Sequence, residues 1–199
     1  MSKRIAQFSL LLLLATIPLP AMANPISDIS AASAAKEEEQ SSAHRAELAA
    51  FDRVTVSAQD GVAAVEQHLG GATVVDISFD GGRDAPVYHV KAYQRDKLWS
   101  GSVDAATRNV VLDDSMPIAK MDRDDRRNVA DVARAGFNLS EVITIAEKHG
   151  AGKAVSAGLS RTDGKLVFVV VVVSDGALKE VSVSPASENR SRHFPASNP

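Results

Sequence analysis

The chain has 199 residues, with 22 Lys and Arg against 25 Asp and Glu, so its formal net charge is −3 at pH 7. This balance argues against nucleic acid as a partner, because phosphate binding needs a basic surface. The chain has no cysteine, which excludes disulfides, thiol nucleophiles and thiolate metal sites. Hydrophobic residues make up 45% of the sequence and aromatic residues only 5%, so we expect an aliphatic core.

The amino-terminal segment has the pattern of a secretory signal peptide. Lys3 and Arg4 precede a mostly apolar run at 8–17, and a small-residue cleavage site of the Ala-x-Ala type ends at Ala23. We therefore expect cleavage between Ala23 and Asn24. The mature protein is then expected to be periplasmic or secreted, with no membrane span after the signal is removed.

The first half of the mature chain predicts one helix and three strands. Ser57 is a typical helix N-cap, and Asp60 follows three residues later, as in a capping box. Apolar residues then recur at helical spacing until Gly70-Gly71, which ends the helix. Alternating apolar and polar residues predict strands at 73–79, 87–93 and 97–104.

The second half predicts the same order of elements. Asn138 is an N-cap with Glu141 three residues later. Asp163-Gly164 and Asp175-Gly176 are typical two-residue hairpin turns, so they predict three strands around them. The middle strand, 166–173, consists entirely of apolar residues, and both of its faces therefore need cover.

The recurring order predicts an α+β protein made of two repeated units, each a helix packed on a three-stranded antiparallel meander. Tyr88 and Val90 of the first unit correspond to Phe168 and Val170 of the second. The predicted division is a signal peptide at 1–23, a flexible or helical arm at 24–56, unit 1 at 57–111, a charged helical connector at 112–137, unit 2 at 138–184 and a disordered tail at 185–199.

Both predicted units resemble the PepSY domain. The first resemblance rests on Ala58 to Glu66, Gly70-Gly71, Pro86 to Val90, and Val103 to Thr107. The second rests on Leu139 to Glu147 with Gly150 and Gly152, Leu166 to Val170, and Val181 to Val183. PepSY domains are best known from propeptides of thermolysin-like metallopeptidases, where they help to inhibit and fold the enzyme. The resemblance implies a non-enzymatic domain that restrains a peptidase, and it brings no catalytic residue with it.

The remaining polar residues do not form a recognisable catalytic or metal-binding pattern. His68 and His149 each lack a second histidine at the spacing of a helical zinc site. The acidic stretch that begins at Asp122 lacks the glycine and the terminal glutamate of a calcium loop. No nucleophile motif and no phosphate-binding loop occurs. We expect no catalytic residue, no cofactor and no metal ion.

The candidate interface lies on the all-apolar strand. Side chains alternate along a strand, so Val167, Val169, Val171 and Val173 share one face, which we expect to be a buried interface. The opposite face, with Phe168, is expected to hold the second helix. Four candidates could cover the valines: the first unit, the amino-terminal helix, a second copy of the protein or a different partner.

The sequence favours an exported, non-enzymatic interaction module with a protein partner, a peptidase of the cell envelope being one candidate. Self-association through the valines is a further option. The alternative hypothesis is a module of the envelope that binds a small ligand or an ion. An apolar groove or an open strand edge would favour the first hypothesis, and a concave pocket with converging polar groups would favour the second.

Overall fold

The computed structural model describes residues 42–82, 85–135 and 138–184. The predicted signal peptide and tail, and much of the predicted arm, lie outside these residues. The helices are α1 (42–51), α2 (Ala58–His68), α3 (Arg123–Ala135) and α4 (Leu139–Gly150), and a short 3-10 helix covers Ile118–Lys120. The strands are β1 (Thr73–Asp80), β2 (Val87–Gln94), β3 (Lys97–Asp104), β4 (Val110–Pro117), β5 (Lys153–Thr162), β6 (Lys165–Ser174) and β7 (Ala177–Val183).

All seven strands belong to one antiparallel sheet, in the order β4-β3-β2-β1-β5-β6-β7. The prediction of two repeated units, each a helix on its own three-stranded meander, is therefore wrong. The strands β1 and β5 pair through a short ladder in which Ile77 lies opposite Ala157. A three-stranded sheet with one helix is barely stable by itself, and this pairing removes an open edge from both halves.

The first half of the chain contains a fourth strand, β4, that was not predicted from the sequence. The stretch predicted as a charged helical connector, 112–137, begins inside β4 and becomes helical only later, in α3. Asp113 and Asp114 are exposed on β4, which forms one edge of the sheet. Charged residues are common on edge strands because they discourage further pairing. They also break the apolar alternation by which a strand is recognised.

The helices α2 and α4 cover one face of the sheet, which we call the helix face. A methyl group added at Gly61 of α2 would lie 2.9 Å from Ile77 Cδ1, and one at Gly150 of α4 would lie 2.4 Å from Val172 Cγ2. Glycine at these positions therefore lets the helices approach the strands closely. The two helices also contact each other, since Gln59 Nε2 donates to Thr144 Oγ1 at 2.7 Å.

One hydrophobic core extends through both halves of the chain. Its most deeply buried side chains come from both helices and from strands on either side of the β1–β5 pairing: Val62, Val65, Ile77, Tyr88, Leu139, Ile143, Phe168 and Val170.

The predicted N-caps are confirmed. Ser57 and Asp60 form a capping box, and Asn138 Oδ1 accepts from the backbone of Ser140 at 2.7 Å.

A row of aromatic rings joins the segment before α2 to the sheet. Phe51 meets Phe79 edge to face with ring centroids 5.1 Å apart, and Phe79 meets Tyr88 at 5.5 Å. The buried Tyr88 hydroxyl donates to the carbonyl oxygen of Val56 at 3.0 Å. The residues just before α2 thus belong to the core.

Replacing Tyr88 by Phe tests this attachment. The substitution removes one hydroxyl and leaves the Val56 carbonyl without its donor, so we expect a loss of about 1–2 kcal/mol in the free energy of unfolding. Tyr93→Phe is the matched control, because the Tyr93 hydroxyl donates to the exposed Asp96 carboxylate at 3.3 Å. We expect the control to change stability little. Urea unfolding of both variants measures the difference, and equal losses would contradict a buried role for the Tyr88 hydroxyl.

Candidate functional site

The four predicted interface valines form a continuous ridge along β6. Their side chains are only half-buried, whereas the alternate residues Phe168, Val170 and Val172 on the helix face are 0–1% exposed. We call the side of the sheet that carries Val167, Val169, Val171 and Val173 the valine face. The structure thus keeps the four valines together as predicted, but the described part of the chain does not seal them.

The neighbouring strands explain why the middle of the ridge stays partly exposed. Val169 lies between Gly158 of β5 and Ser182 of β7, and Val171 lies between Ser156 and Glu180. Cross-strand neighbours normally cover each other's flanks. Glycine has no side chain and serine has a short one, so Val169 is covered on neither flank and Val171 only on the flank of Glu180.

A carboxylate lies on the same face, one strand beyond β5. Asp76 of β1 is paired with Gly158 on one side and with Lys91 of β2 on the other. A Cβ added at Gly158 would lie 2.8 Å from Asp76 Oδ2, so the carboxylate occupies the space that this glycine leaves open. Burial raises the pKa of Asp76, and the positive charge of Lys91 opposes that rise only in part.

Arg161 of β5 ties α3 to the sheet. Its Nε donates to Asn128 Oδ1 at 2.8 Å, and its guanidinium also pairs with the Asp131 carboxylate. The hydrogen bond from Arg161, helped by the charges of nearby arginines, holds the pKa of Asp131 below its ordinary value against the opposing effect of burial. At the other end of α3, the charge of Lys91 acts on Asp125, whose pKa is nevertheless raised by burial and by the nearby Asp122. Because Lys91 belongs to the valine face, α3 begins close to the polar part of that face.

A shallow cavity of about 320 Å³ lies between α2 and the turn that joins β3 to β4. Its polar lining consists of Asp60, Gln67, His68, Arg108 and Asn109. Its two charged groups form an ion pair with each other, Arg108 with Asp60. Burial favours a higher pKa for Asp60, but hydrogen bonds with Ser57 and the charge of Arg108 outweigh it and lower the pKa. Asp60 and Arg108 are therefore not available as an unpaired acid or base in this cavity.

The histidines singled out in the sequence do not come together. His68 lines the cavity beside α2, and His149 lies in the last turn of α4. His89 of β2 contacts Asp80 Oδ2 through Nε2 at 3.1 Å. Across the described ranges, no three His, Asp or Glu side chains are grouped so that they could hold a metal ion.

Two charged residues of this region, Asp76 and Arg161, were not predicted from the sequence. Asp76 looks like an ordinary polar position in an alternating strand, and only its pairing with Gly158 gives it a special environment. Arg161 stands near a predicted hairpin turn, and nothing in the sequence links it to Asp131, thirty residues away. Neither residue carries a local signal, because both contacts depend on how the halves of the sheet meet.

No helix within residues 42–82, 85–135 and 138–184 combines the length and the hydrophobicity needed to cross a membrane.

Comparison with known proteins adds little to this picture. No protein-family profile matches the chain, and no curated protein matches it. One solved structure is similar, a protein from Clostridium difficile 630 that is described provisionally as a lipoprotein. It is 18% identical over 65% of this chain and 94% of that chain, with a TM-score of 0.37. So low a TM-score does not establish a shared fold, and the PepSY resemblance stays a prediction.

The environment of Asp76 predicts an unusual dependence of stability on pH. Because the folded state raises the pKa of Asp76, the charged carboxylate lowers the free energy of unfolding at pH values above that pKa. This loss of stability disappears as the pH falls below about 3.9, the ordinary pKa of an aspartate, because the carboxyl group is then protonated in both the folded and the unfolded state. Asp76→Asn should therefore be more stable than the wild type at neutral pH and equally stable near pH 3, as measured by urea unfolding.

Asp104 provides a control of opposite sign. Backbone N–H groups of Ala106 and Thr107 donate to its carboxylate at 2.9 and 2.7 Å and lower its pKa. This group stabilises the fold above the unfolded pKa, and the contribution is lost as the pH falls through the folded pKa. Asp104→Asn should therefore lower stability at neutral pH. A loss of stability at neutral pH in Asp76→Asn as well would contradict the proposed environment of Asp76.

Proposed function

We propose that this chain is an exported, non-enzymatic interaction protein of the cell envelope that binds a protein partner through the valine face. The observation that carries the proposal is the ridge of four half-buried valines, Val167, Val169, Val171 and Val173. Export is supported by the signal-peptide pattern that ends at Ala23. The resemblance to PepSY domains supports a peptidase of the envelope as the partner.

The shape of the site favours a macromolecule over a small ligand. Small-molecule sites are usually concave and bury most of the ligand, whereas Val169, at the middle of the ridge, projects between the short neighbours Gly158 and Ser182. The cavity beside α2 is shallow, and its Asp60 and Arg108 already pair with each other. A ridge is complementary to an apolar groove or to a flat apolar surface of another protein.

Simple energetics indicate that the ridge needs help from other contacts. Full burial of a valine side chain is worth about 1.5–3 kcal/mol, so covering what remains exposed yields at most about 1 kcal/mol for each half-buried valine. The four together contribute at most about 4 kcal/mol. Micromolar affinity corresponds to about 8 kcal/mol, so a stable complex requires further contacts next to the ridge.

Val169→Lys tests the role of the ridge. Val169 is half-buried, and a lysine there can extend its ammonium group into water, so we expect a loss of no more than about 1 kcal/mol in stability. Binding of the partner should be lost, because the complex would bury an unpaired charge. The measurements are urea unfolding, sedimentation velocity, and affinity capture from envelope extract followed by mass spectrometry.

Two further variants separate folding from binding. Val170→Lys places the same charge at a position that is 0% exposed on the helix face and should unfold the protein. Ser102→Lys lies on the valine face of β3, away from the ridge, and should retain both stability and binding. If Val169→Lys retains every captured protein that the wild type and Ser102→Lys retain, the valine face is not the binding surface. If Val169→Lys is as unstable as Val170→Lys, the ridge is internal to the chain.

A further inference from the structure

The two outermost strands of the sheet, β4 and β7, differ in how readily another strand could pair with them. The β4 edge carries Asp113, Asp114 and Pro117, and a bulge interrupts its register with β3 between Ser100 and Gly101. Proline and a bulge both discourage strand addition, whereas charge does not distinguish the two edges, because β7 carries Lys179 and Glu180. At the other edge, β7 pairs with β6 in an unbroken register from Ala177 to Val183. Among the described strands, β7 pairs with β6 alone, and its outer edge is regular.

The hairpin turn determines which backbone groups of β7 point outward. Asp175 and Gly176 have φ values of 54° and 73°, which defines a two-residue turn of type I′ closed by Ser174 and Ala177. The closing pair is hydrogen-bonded, and such pairs alternate along an antiparallel ladder. Ala177, Lys179, Val181 and Val183 therefore bond to β6, while the N–H and C=O groups of Leu178, Glu180 and Ser182 face away from it.

The same three residues present their side chains on the valine face. Leu178, Glu180 and Ser182 lie opposite Val173, Val171 and Val169, respectively. A strand added to β7 would thus place alternate side chains directly beside the ridge. One partner would then form backbone hydrogen bonds with this edge and apolar contacts with the valines. The hydrogen bonds would supply the further contacts that a stable complex requires.

The charges along β7 indicate what kind of segment fits. Lys179, on the helix face, donates from Nζ to Ser174 Oγ at 2.9 Å. Glu180 is exposed, and within the described part of the chain no ion pair involves it. Opposite charges on directly paired residues stabilise a cross-strand pair. A segment with a basic residue opposite Glu180 and an aliphatic residue opposite Leu178 is therefore complementary.

We propose that the outer edge of β7 is a strand-addition site for an extended segment of a partner protein, with an aliphatic and a basic side chain two residues apart on the valine face. This inference rests on the proposed function and specifies how the partner binds. Strand addition is a common form of peptide recognition, in which backbone hydrogen bonds contribute affinity and alternate side chains contribute specificity.

A synthetic peptide provides the direct test. The probe is the capped, fluorescently labelled heptapeptide Thr-Leu-Thr-Lys-Thr-Val-Thr, which sets its central lysine opposite Glu180 in either strand direction. Fluorescence anisotropy measures its affinity for the mature protein, and amide chemical shifts report on Leu178, Glu180 and Ser182. We expect binding with shifts at these three amides. A peptide with Glu in place of Lys should bind about two- to five-fold more weakly.

Substitutions at neighbouring positions separate backbone from side-chain effects. Glu180→Pro removes an outward N–H while leaving the bonds between β6 and β7, so binding should weaken at least about tenfold with little change in stability. Glu180→Gln keeps the backbone N–H and removes only the negative charge, so it should lose only what that charge contributes to peptide binding. If Glu180→Pro destabilises the fold, two N-methylated peptides make the same backbone test on the wild-type protein. Methylation at the lysine removes the N–H that faces β7 in an antiparallel pair, and methylation at the two threonines beside it removes those that face β7 in a parallel pair.

Several outcomes would overturn the inference. They are no binding of the peptide to the mature protein, equal binding by Glu180→Pro and the wild type, or binding of both N-methylated peptides as tight as that of the unmethylated peptide. A dimer of the wild type that dissociates in Glu180→Pro would assign the edge to a second copy and would also overturn it. If Val169→Lys loses captured proteins that Glu180→Pro retains, strand addition is wrong and the proposed function stands. If neither variant loses them, both are wrong.

Discussion

The short ladder between β1 and β5 is the contact on which the rest of this structure depends. Only Asp76, Ile77 and Ser78 pair with β5, yet this contact joins two meanders into one sheet. It buries two strands that would otherwise be edges and brings α2 beside α4. The two helices then share a single core, which is larger than either half could form, and burial of apolar area is the main source of stability.

The same ladder makes the two faces of the sheet different. On the helix face the ladder places Ile77 beside Ala157, and Ala157 in turn lies beside Val170 of β6. All three side chains are buried, so the apolar residues of both halves are covered. On the other face the ladder places Asp76 beside Gly158, next to the valine ridge. A carboxylate with a raised pKa on β1 and a row of half-buried valines on β6 thus share one face, with only β5 between them.

The ladder also determines which edges remain. With β1 and β5 in the centre, β4 and β7 become the outermost strands of the described sheet. Edge strands are normally protected, and β4 has such protection in Asp113, Asp114 and Pro117. The β7 strand has a regular backbone and borders the ridge. The proposed interaction surface therefore consists of the ridge and this edge together, so that apolar burial and backbone hydrogen bonding would act on the same partner.

Local features of this protein could be read from its sequence alone. The caps at Ser57 and Asn138, the hairpin turns, and the alternation that keeps the four valines on one face all depend on residues a few positions apart. Only the tertiary structure decided that β1 pairs with β5, that Asp113 and Asp114 lie in a strand, and that Arg161 binds α3. These contacts join residues far apart in the chain, and the local pattern of side chains is the same whether or not the contact forms.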